Sequence, residues 1–196
     1  VGGMIHGLTN SQFDDGKASW PVYETAAKLD VPIYLHPGMP HHEVRNIYYK
    51  DYTEEFALFP QAAWGYTVET ATMAIRLVLS RVFETIPNLK IILGHLGETL
   101  PFLLWRVNHN LKRPGNAPIE FREVFCNNFY VTTSGNFSDP ALLCCMQELG
   151  VDRILFAIDW PFIDNKLGTD WFEKLAISKE DKIKILSGNS SRIFKL

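Results

Sequence analysis

The sequence predicts an α/β protein of the (β/α)8 TIM-barrel type, and three observations carry that expectation. Short apolar runs, each ending at Gly, Pro or a titratable side chain and followed by a loop and a helix-like stretch, recur about five times along the 196 residues. The runs are continuously apolar, not alternating, so both faces must be covered, as in a parallel sheet with helices outside. His6, His36, His95 and Asp159 each stand at the end of such a run, the end where barrel enzymes keep their chemistry. Eight strands need roughly 250 residues. An amino-terminally incomplete barrel, about five of eight β/α units in one domain over 1–196, is therefore expected. The opening Val1-Gly2-Gly3-Met4-Ile5-His6 already reads as the interior of a strand, with no initiator Met or polar lead-in, as in a piece of a longer chain.

Met4-Ile5 reads as the first strand, ending at His6-Gly7, and 10–18 as a polar loop. A helix is expected over about 19–29, with Ser19 as N-cap and Pro21 in the first turn, stopped by Asp30-Val31-Pro32. Ile33-Tyr34-Leu35 is the second strand, ending at His36 and broken by Pro37-Gly38. The aromatic stretch 39–63 reads as a long irregular loop, the kind that serves as a lid or binding wall. The clearest helix covers about 67–86, where Val68, Ala71, Ile75, Val78, Leu79, Val82 and Ile86 fall at i, i+3, i+4, i+7 spacing.

Ile91-Ile92-Leu93, too short for a helix and rich in β-branched residues, is the third strand. Gly94 ends it, His95 follows, and Gly97, Glu98 and Thr99 lead into a helix with Pro101 in its first turn, where a missing N–H costs little. One stripe of that helix carries Leu100, Leu103, Leu104, Val107 and Leu111; another carries Phe102, Trp105, Arg106 and His109. Two unlike faces suit the barrel on one side and a partner subunit on the other. Residues 112–118 read as a linker, 119–125 as a short helix, and 129–133 as a strand by propensity. Ser134-Gly135-Asn136 reads equally as pocket wall or plain turn. A helix follows from Asp139 to Leu149 with Gly150 as its C-cap, then an apolar strand over 154–158 that ends at Asp159-Trp160-Pro161. The tail 178–195 reads as a helix pair interrupted near Gly188-Asn189.

Composition narrows the function classes. A hydrophobic share of 46% and a charged share of 21% are ordinary for a folded domain. A net charge of −3 with no basic run argues against a nucleic-acid partner. No apolar stretch approaches the ~20 residues that span a bilayer, and no signal-peptide pattern opens the chain. Three cysteines, two of them adjacent (Cys144, Cys145), form neither a disulfide framework nor a CxxC zinc spacing, so a cytoplasmic location is expected.

The candidate chemistry is His36, His95 and Asp159. Each sits just past an apolar strand and is followed within two residues by Pro or Gly. Imidazole and carboxylate are donors suited to zinc and similar divalent ions, although no HxH or HExxH spacing is present. One strand-end histidine would more simply cap a loop; three groups in one register favour a site. His41 and His42 read as solvated, His6 as a core histidine or one behind a ligand, His109 and Arg113 as an exposed helix end, and Asp170-Trp171-Phe172 as helix initiation and packing.

YLHP at 34–37, IILGHLGETLPFLLWR at 91–106, TTSGNF at 132–137 and FAIDWPF at 156–162 resemble the metal-dependent decarboxylase branch of the amidohydrolase superfamily. The nearest likeness is to the 2,3-dihydroxybenzoate, γ-resorcylate and salicylic acid decarboxylases, and it runs from Met4 to nearly the last residue. The resemblance implies non-oxidative decarboxylation of a hydroxybenzoate to a phenol and CO2, with a divalent ion, Zn or Mn, and no organic cofactor. It also implies a homo-oligomer, dimer or tetramer. Residue by residue, it implies His36 and Asp159 as metal ligands and His95 beside the substrate carboxylate and the aspartate. Glu98 is implied as the hydrogen-bonding partner of His95, Arg106 as reaching a neighbouring subunit's site, and Phe162 and Tyr66 as lining an aromatic pocket. The family's further metal-site residues on its first strand have no counterpart in this chain. Decarboxylation must protonate the ring carbon that carries the carboxylate. Asp159 suits the general acid, with His95 and Glu98 setting its protonation. Two other readings are a hydrolase of the same superfamily acting on a lactone or amide, and an inactive truncated chain.

Overall fold

Short strands carrying bulky side chains on both faces need cover on both, and here each strand is followed by helix that returns over the sheet. The computed structural model describes residues 2–117 and 119–196. Val1, read as part of the first strand, and Pro118, the end of the expected linker, lie outside the described residues. Strands β1 (Gly3–His6), β2 (Ile33–His36), β3 (Ile91–Leu93), β4 (Phe129–Thr132) and β5 (Ile154–Leu155) form one parallel sheet whose spatial order is the chain order. A doubly wound sheet would reverse its order partway across; five consecutive barrel units do not.

The helices are α1 (Trp20–Lys28), α2 (His42–Tyr48), α3 (Lys50–Thr53), α4 (Gly65–Leu79), α5 (Val82–Thr85), the short turn α6 (His95–Glu98), α7 (Leu100–Asn110), α8 (Phe121–Asn128), α9 (Asp139–Glu148), α10 (Asn165–Lys174), α11 (Lys179–Ile183) and α12 (Asn189–Phe194). Alternation along the strands sorts the core. Ile33, Leu35, Ile91, Leu93 and Phe129 pack with helix residues such as Tyr23, Leu77, Phe121 and Phe125. Ile92, Tyr130 and Leu155 pack on the other face, with Ile193 of α12. The register Tyr34–Ile92–Tyr130 makes that second set one row across three strands.

Several expectations are revised. The 39–63 stretch contains α2 and α3, neither with a buried residue; Tyr49 between them is the buried anchor, edge-on to Phe59. The helix expected over 67–86 is two, because Arg81 turns left-handed (φ 69°) while the apolar stripe runs on across the break. Ser19 stands at the N-cap position of α1, but its hydroxyl donates to Asp14 and leaves the helix end uncapped by it. Strand β5 stops after two residues, not five. The Thr133 hydroxyl takes both backbone groups of Ala157, and the Phe156 amide donates to the Ile185 carbonyl. That carbonyl lies in a wide π turn, Lys184–Gly188, so the closing helix runs through Gly188 in helical geometry and is not interrupted. Asn189 pins it, its amide donating to the carbonyls of Val151 and Ile154.

Candidate active site

All five strands run the same way, so the residues at their carboxyl ends share one edge of the sheet. His6 and His36 are register partners there, their rings stacked at 4.5 Å and 14°. His6 is exposed on its remaining side, so it is not a core histidine. The His36 Nδ1 lies 2.8 Å from the Pro37 carbonyl oxygen. A carbonyl can only accept, so that nitrogen carries a proton, and in the neutral ring the lone pair sits on Nε2.

The segment after β3 is not a lead-in to α7. His95, Leu96, Gly97, Glu98 and Thr99 all have positive φ, at 50°, 55°, 80°, 52° and 68°. A left-handed turn of L-residues costs roughly 1–2 kcal/mol per residue, and such strain persists only where the surroundings over-determine it. Here they do. Leu96 is buried against Val131, Leu142 and Cys145. The Cys145 thiol donates to the Leu96 carbonyl, the Asn136 amide donates to the His95 carbonyl at 3.2 Å, and Gly97 N–H donates to the Gly94 carbonyl.

This turn brings the side chains of His95 and Glu98 together, His95 Nδ1 to Glu98 Oε1 at 2.6 Å. The Glu98 side chain is wholly buried and its second oxygen accepts from the Thr67 hydroxyl at 2.8 Å. His95 Nε2 faces Asp159 Oδ2 at 3.9 Å, and both side chains remain about a quarter exposed. Asp159 also sits at positive φ, 81°. A Cβ on Gly135 would stand 3.1 Å from the His95 ring and 3.3 Å from Asp159 Oδ2, so a bare backbone walls this pair. Burial is the largest influence on the His95 imidazole and pulls its pKa down; the Glu98 hydrogen bond and charge, then the Asp159 charge, outweigh it and hold the pKa above its ordinary value. Beneath the turn runs a chain of hydroxyls: Tyr34 lies 3.4 Å from both Thr132 and Ser134, these two lie 2.7 Å apart, and Ser134 accepts from the His95 amide.

A cleft of about 910 Å³ opens at His95, walled among others by Thr67, Phe102, Asn136, Leu143 and Cys144. Gly135 and Asn136 are thus pocket wall as well as turn, while Ser134 is buried behind them. Phe162 is 80% exposed just beyond Asp159; Tyr66 is half-buried at the start of α4; Arg106 is exposed on α7, on the same side as Phe102 and Trp105. The structure therefore groups His95, Glu98 and Asp159, with His36 on the same edge, and leaves Tyr66, Arg106 and Phe162 outside that group. Sequence reasoning missed Thr67, Tyr34 and Thr132. A hydroxyl residue in the first turn of a helix carries no signal that it serves a carboxylate 31 positions away.

The donor set suits a divalent cation in kind but not in number. His36 presents a lone pair on Nε2 with its other nitrogen tied to a carbonyl, the arrangement typical of ligating histidines, and Asp159 offers a carboxylate. Among the described residues no three His, Cys, Asp or Glu side chains converge on a cation position.

Comparison with known proteins places these features in a wider set. A family described as "Amidohydrolase" matches residues 1–196. The gamma-resorcylate decarboxylase of Polaromonas sp. (strain JS666) is 40% identical over 207 residues, covering 100% of this chain and 62% of the relative. The crystal structure of a dihydroxybenzoic acid decarboxylase from Polaromonas sp. JS666, with bound manganese and the inhibitor 2-nitroresorcinol, superposes with a TM-score of 0.90 at 40% identity, over 98% of this chain and 60% of that one. A 2,6-dihydroxybenzoate decarboxylase complexed with 2,6-dihydroxybenzoate superposes with a TM-score of 0.88 at 36% identity, over 98% and 61%. The chain thus spans about three fifths of the length of the relatives it matches.

Proposed function

The chain belongs to the amidohydrolase family, and from that premise we propose that its protein is a metal-dependent, non-oxidative decarboxylase of a dihydroxybenzoate, 2,6- before 2,3-. The observation that carries the reading is the convergence of His95, buried Glu98 and Asp159 at the carboxyl edge of a parallel sheet, in a chain 40% identical to a gamma-resorcylate decarboxylase.

In this reading His36 and Asp159 would hold a divalent ion, manganese before zinc, since a similar structure has manganese bound; a working centre needs donors beyond these two. When bound, the ion would orient the phenolate and carboxylate of the substrate and offset their charge. His95, kept protonated on Nδ1 by Glu98, presents Nε2 toward the substrate carboxylate and Asp159. The Asp159 carboxyl delivers its proton to the ring carbon that bears the carboxylate. The bond from that carbon to the carboxylate then breaks, CO2 leaves, and its electron pair restores the aromatic ring. The consumed proton comes from solvent: His95 takes it at Nε2 and passes it to Asp159, so both groups end the cycle as they began it. No oxidant and no organic cofactor is called for.

Phe162, exposed beside Asp159, and Tyr66 would wall the ring. Arg106 would reach a second subunit's site from the exposed face of α7, where Phe102 and Trp105 are 81% and 72% exposed, which fits a homo-oligomer. The three unbridged cysteines fit a reducing compartment, the cytoplasm; among the described residues no helix is long and apolar enough to cross a membrane. The test uses the full-length protein loaded with manganese. It should release CO2 from 2,6-dihydroxybenzoate in preference to hydrolysing aryl lactones, and His36→Ala should lower both its bound metal and its rate. Lactone hydrolysis without CO2 release would sink the reading.

A further inference from the structure

We propose that Thr67 is a positioning residue for the His95–Glu98 pair, holding the Glu98 oxygen that His95 does not use. Glu98 has no exposed side-chain surface, and its two oxygens have separate donors from separate elements: His95 Nδ1 at 2.6 Å on Oε1, and Thr67 Oγ1 at 2.8 Å on Oε2. Thr67 lies in the first turn of α4, a different element from the left-handed turn that carries His95. A buried carboxylate with a donor on only one oxygen is poorly compensated and is free to turn about its last bond. With both oxygens held it cannot turn, and Oε1 stays aimed at Nδ1. That fixes which imidazole nitrogen is left for Asp159 and the cleft, namely Nε2 at 3.9 Å from Asp159 Oδ2. Thr67 also lines the cleft at His95.

The hydroxyl and the methyl of Thr67 can be separated by substitution. Thr67→Val keeps the shape and removes the donor; Thr67→Ser keeps the donor and removes the methyl. The kinetic arm rests on the decarboxylase reading; a spectroscopic arm does not. In the full-length protein with manganese, Thr67→Val should lower kcat on 2,6-dihydroxybenzoate about ten- to a hundredfold, the scale of a lost hydrogen bond to a buried charge. KM should change by less than about threefold, and Thr67→Ser should recover most of the rate. In the metal-free protein, the low-field proton resonance of His95 Nδ1–H should persist in Thr67→Ser and weaken or move upfield in Thr67→Val. If Thr67→Val does not fold, Thr67→Ala takes its place in the same comparison. A Thr67→Val protein with the parent's resonance and rate overturns the proposal, and so does Thr67→Ser losing as much as Thr67→Val, which would make the role one of packing. If neither parent nor variants release CO2, the functional reading fails while the resonance comparison still decides the role of Thr67.

Discussion

Replacing Gly97 with Ala probes the turn that assembles His95 and Glu98. Gly97 sits at φ 80°, and a Cβ there would lie 2.9 Å from Pro101 Cδ, 2.9 Å from Pro101 Cγ and 2.9 Å from Val131 Cγ1. Comfortable carbon–carbon contact is ~3.5–4.0 Å, and none of the three atoms belongs to a flexible chain end: two are in a ring, one is on a buried strand. Overpacking of that kind costs about 1–3 kcal/mol, and a left-handed alanine about 1–2 kcal/mol. The stiffer unfolded chain returns about 0.4–1 kcal/mol, leaving a net loss of roughly 2–4 kcal/mol. For a chain of this size each kcal/mol moves Tm by ~2–4 °C, so thermal unfolding followed by circular dichroism should drop by roughly 4–15 °C. Gly115→Ala is the control. Gly115 has the same left-handed backbone, φ 80° and ψ 15°, but nothing within 4 Å of its Cβ position, so it carries the conformational cost without the clash and should lose only about 1 kcal/mol. A Gly97→Ala protein that melts within about 1 °C of the Gly115→Ala protein would refute the claim that Pro101 and Val131 lock this turn.

Three further outcomes follow from the same geometry. Glu98→Gln keeps the side-chain shape but removes the charge that raises the His95 pKa; a proton NMR titration should place His95 lower than in the parent, and the proposed decarboxylation should slow about 10²- to 10³-fold. Asp30 is held at about 2 by the Lys90 hydrogen bond first and then by Lys195. Its folded pKa lies below the unfolded value of ~3.9, so its contribution to stability is whole above that pH and is lost as pH falls toward ~2. Lys90→Met should raise the Asp30 titration midpoint, and its stability deficit at neutral pH should shrink in acid; a midpoint unchanged from the parent would count against the pairing. Burial pushes the Cys145 thiol up to about 12, so mass spectrometry after iodoacetamide at pH 8 should find Cys145 unmodified in the native protein and alkylated once it is denatured.

Much of the site edge was legible because its signals are local. Ile33–His36, Ile91–Leu93 and Phe129–Thr132 are apolar runs that end within one residue of where the pattern says, and parallel pairing then puts His36, His95 and the Asp159 loop on one edge. The left-handed turn was not legible. Nothing in His-Leu-Gly-Glu-Thr announces four non-glycine residues at positive φ, since what holds them there is Ser134, Asn136 and Cys145, 39 or more positions on. The break at Arg81 was hidden for the opposite reason: the apolar stripe that marks a helix continues through it.

The sequence by itself determined the order of the five strands and the presence of helices at α1, α4, α7, α8 and α9, since hydrophobic period and backbone sterics act over a few residues. Only the tertiary structure decided how long β5 runs, how Glu98 is gripped and which nitrogen of His95 faces Asp159. Those depend on where a buried polar atom finds its partner, and in this chain the partners come from Ile185, Thr67 and Ser134, elements that only the packed sheet brings within hydrogen-bond reach.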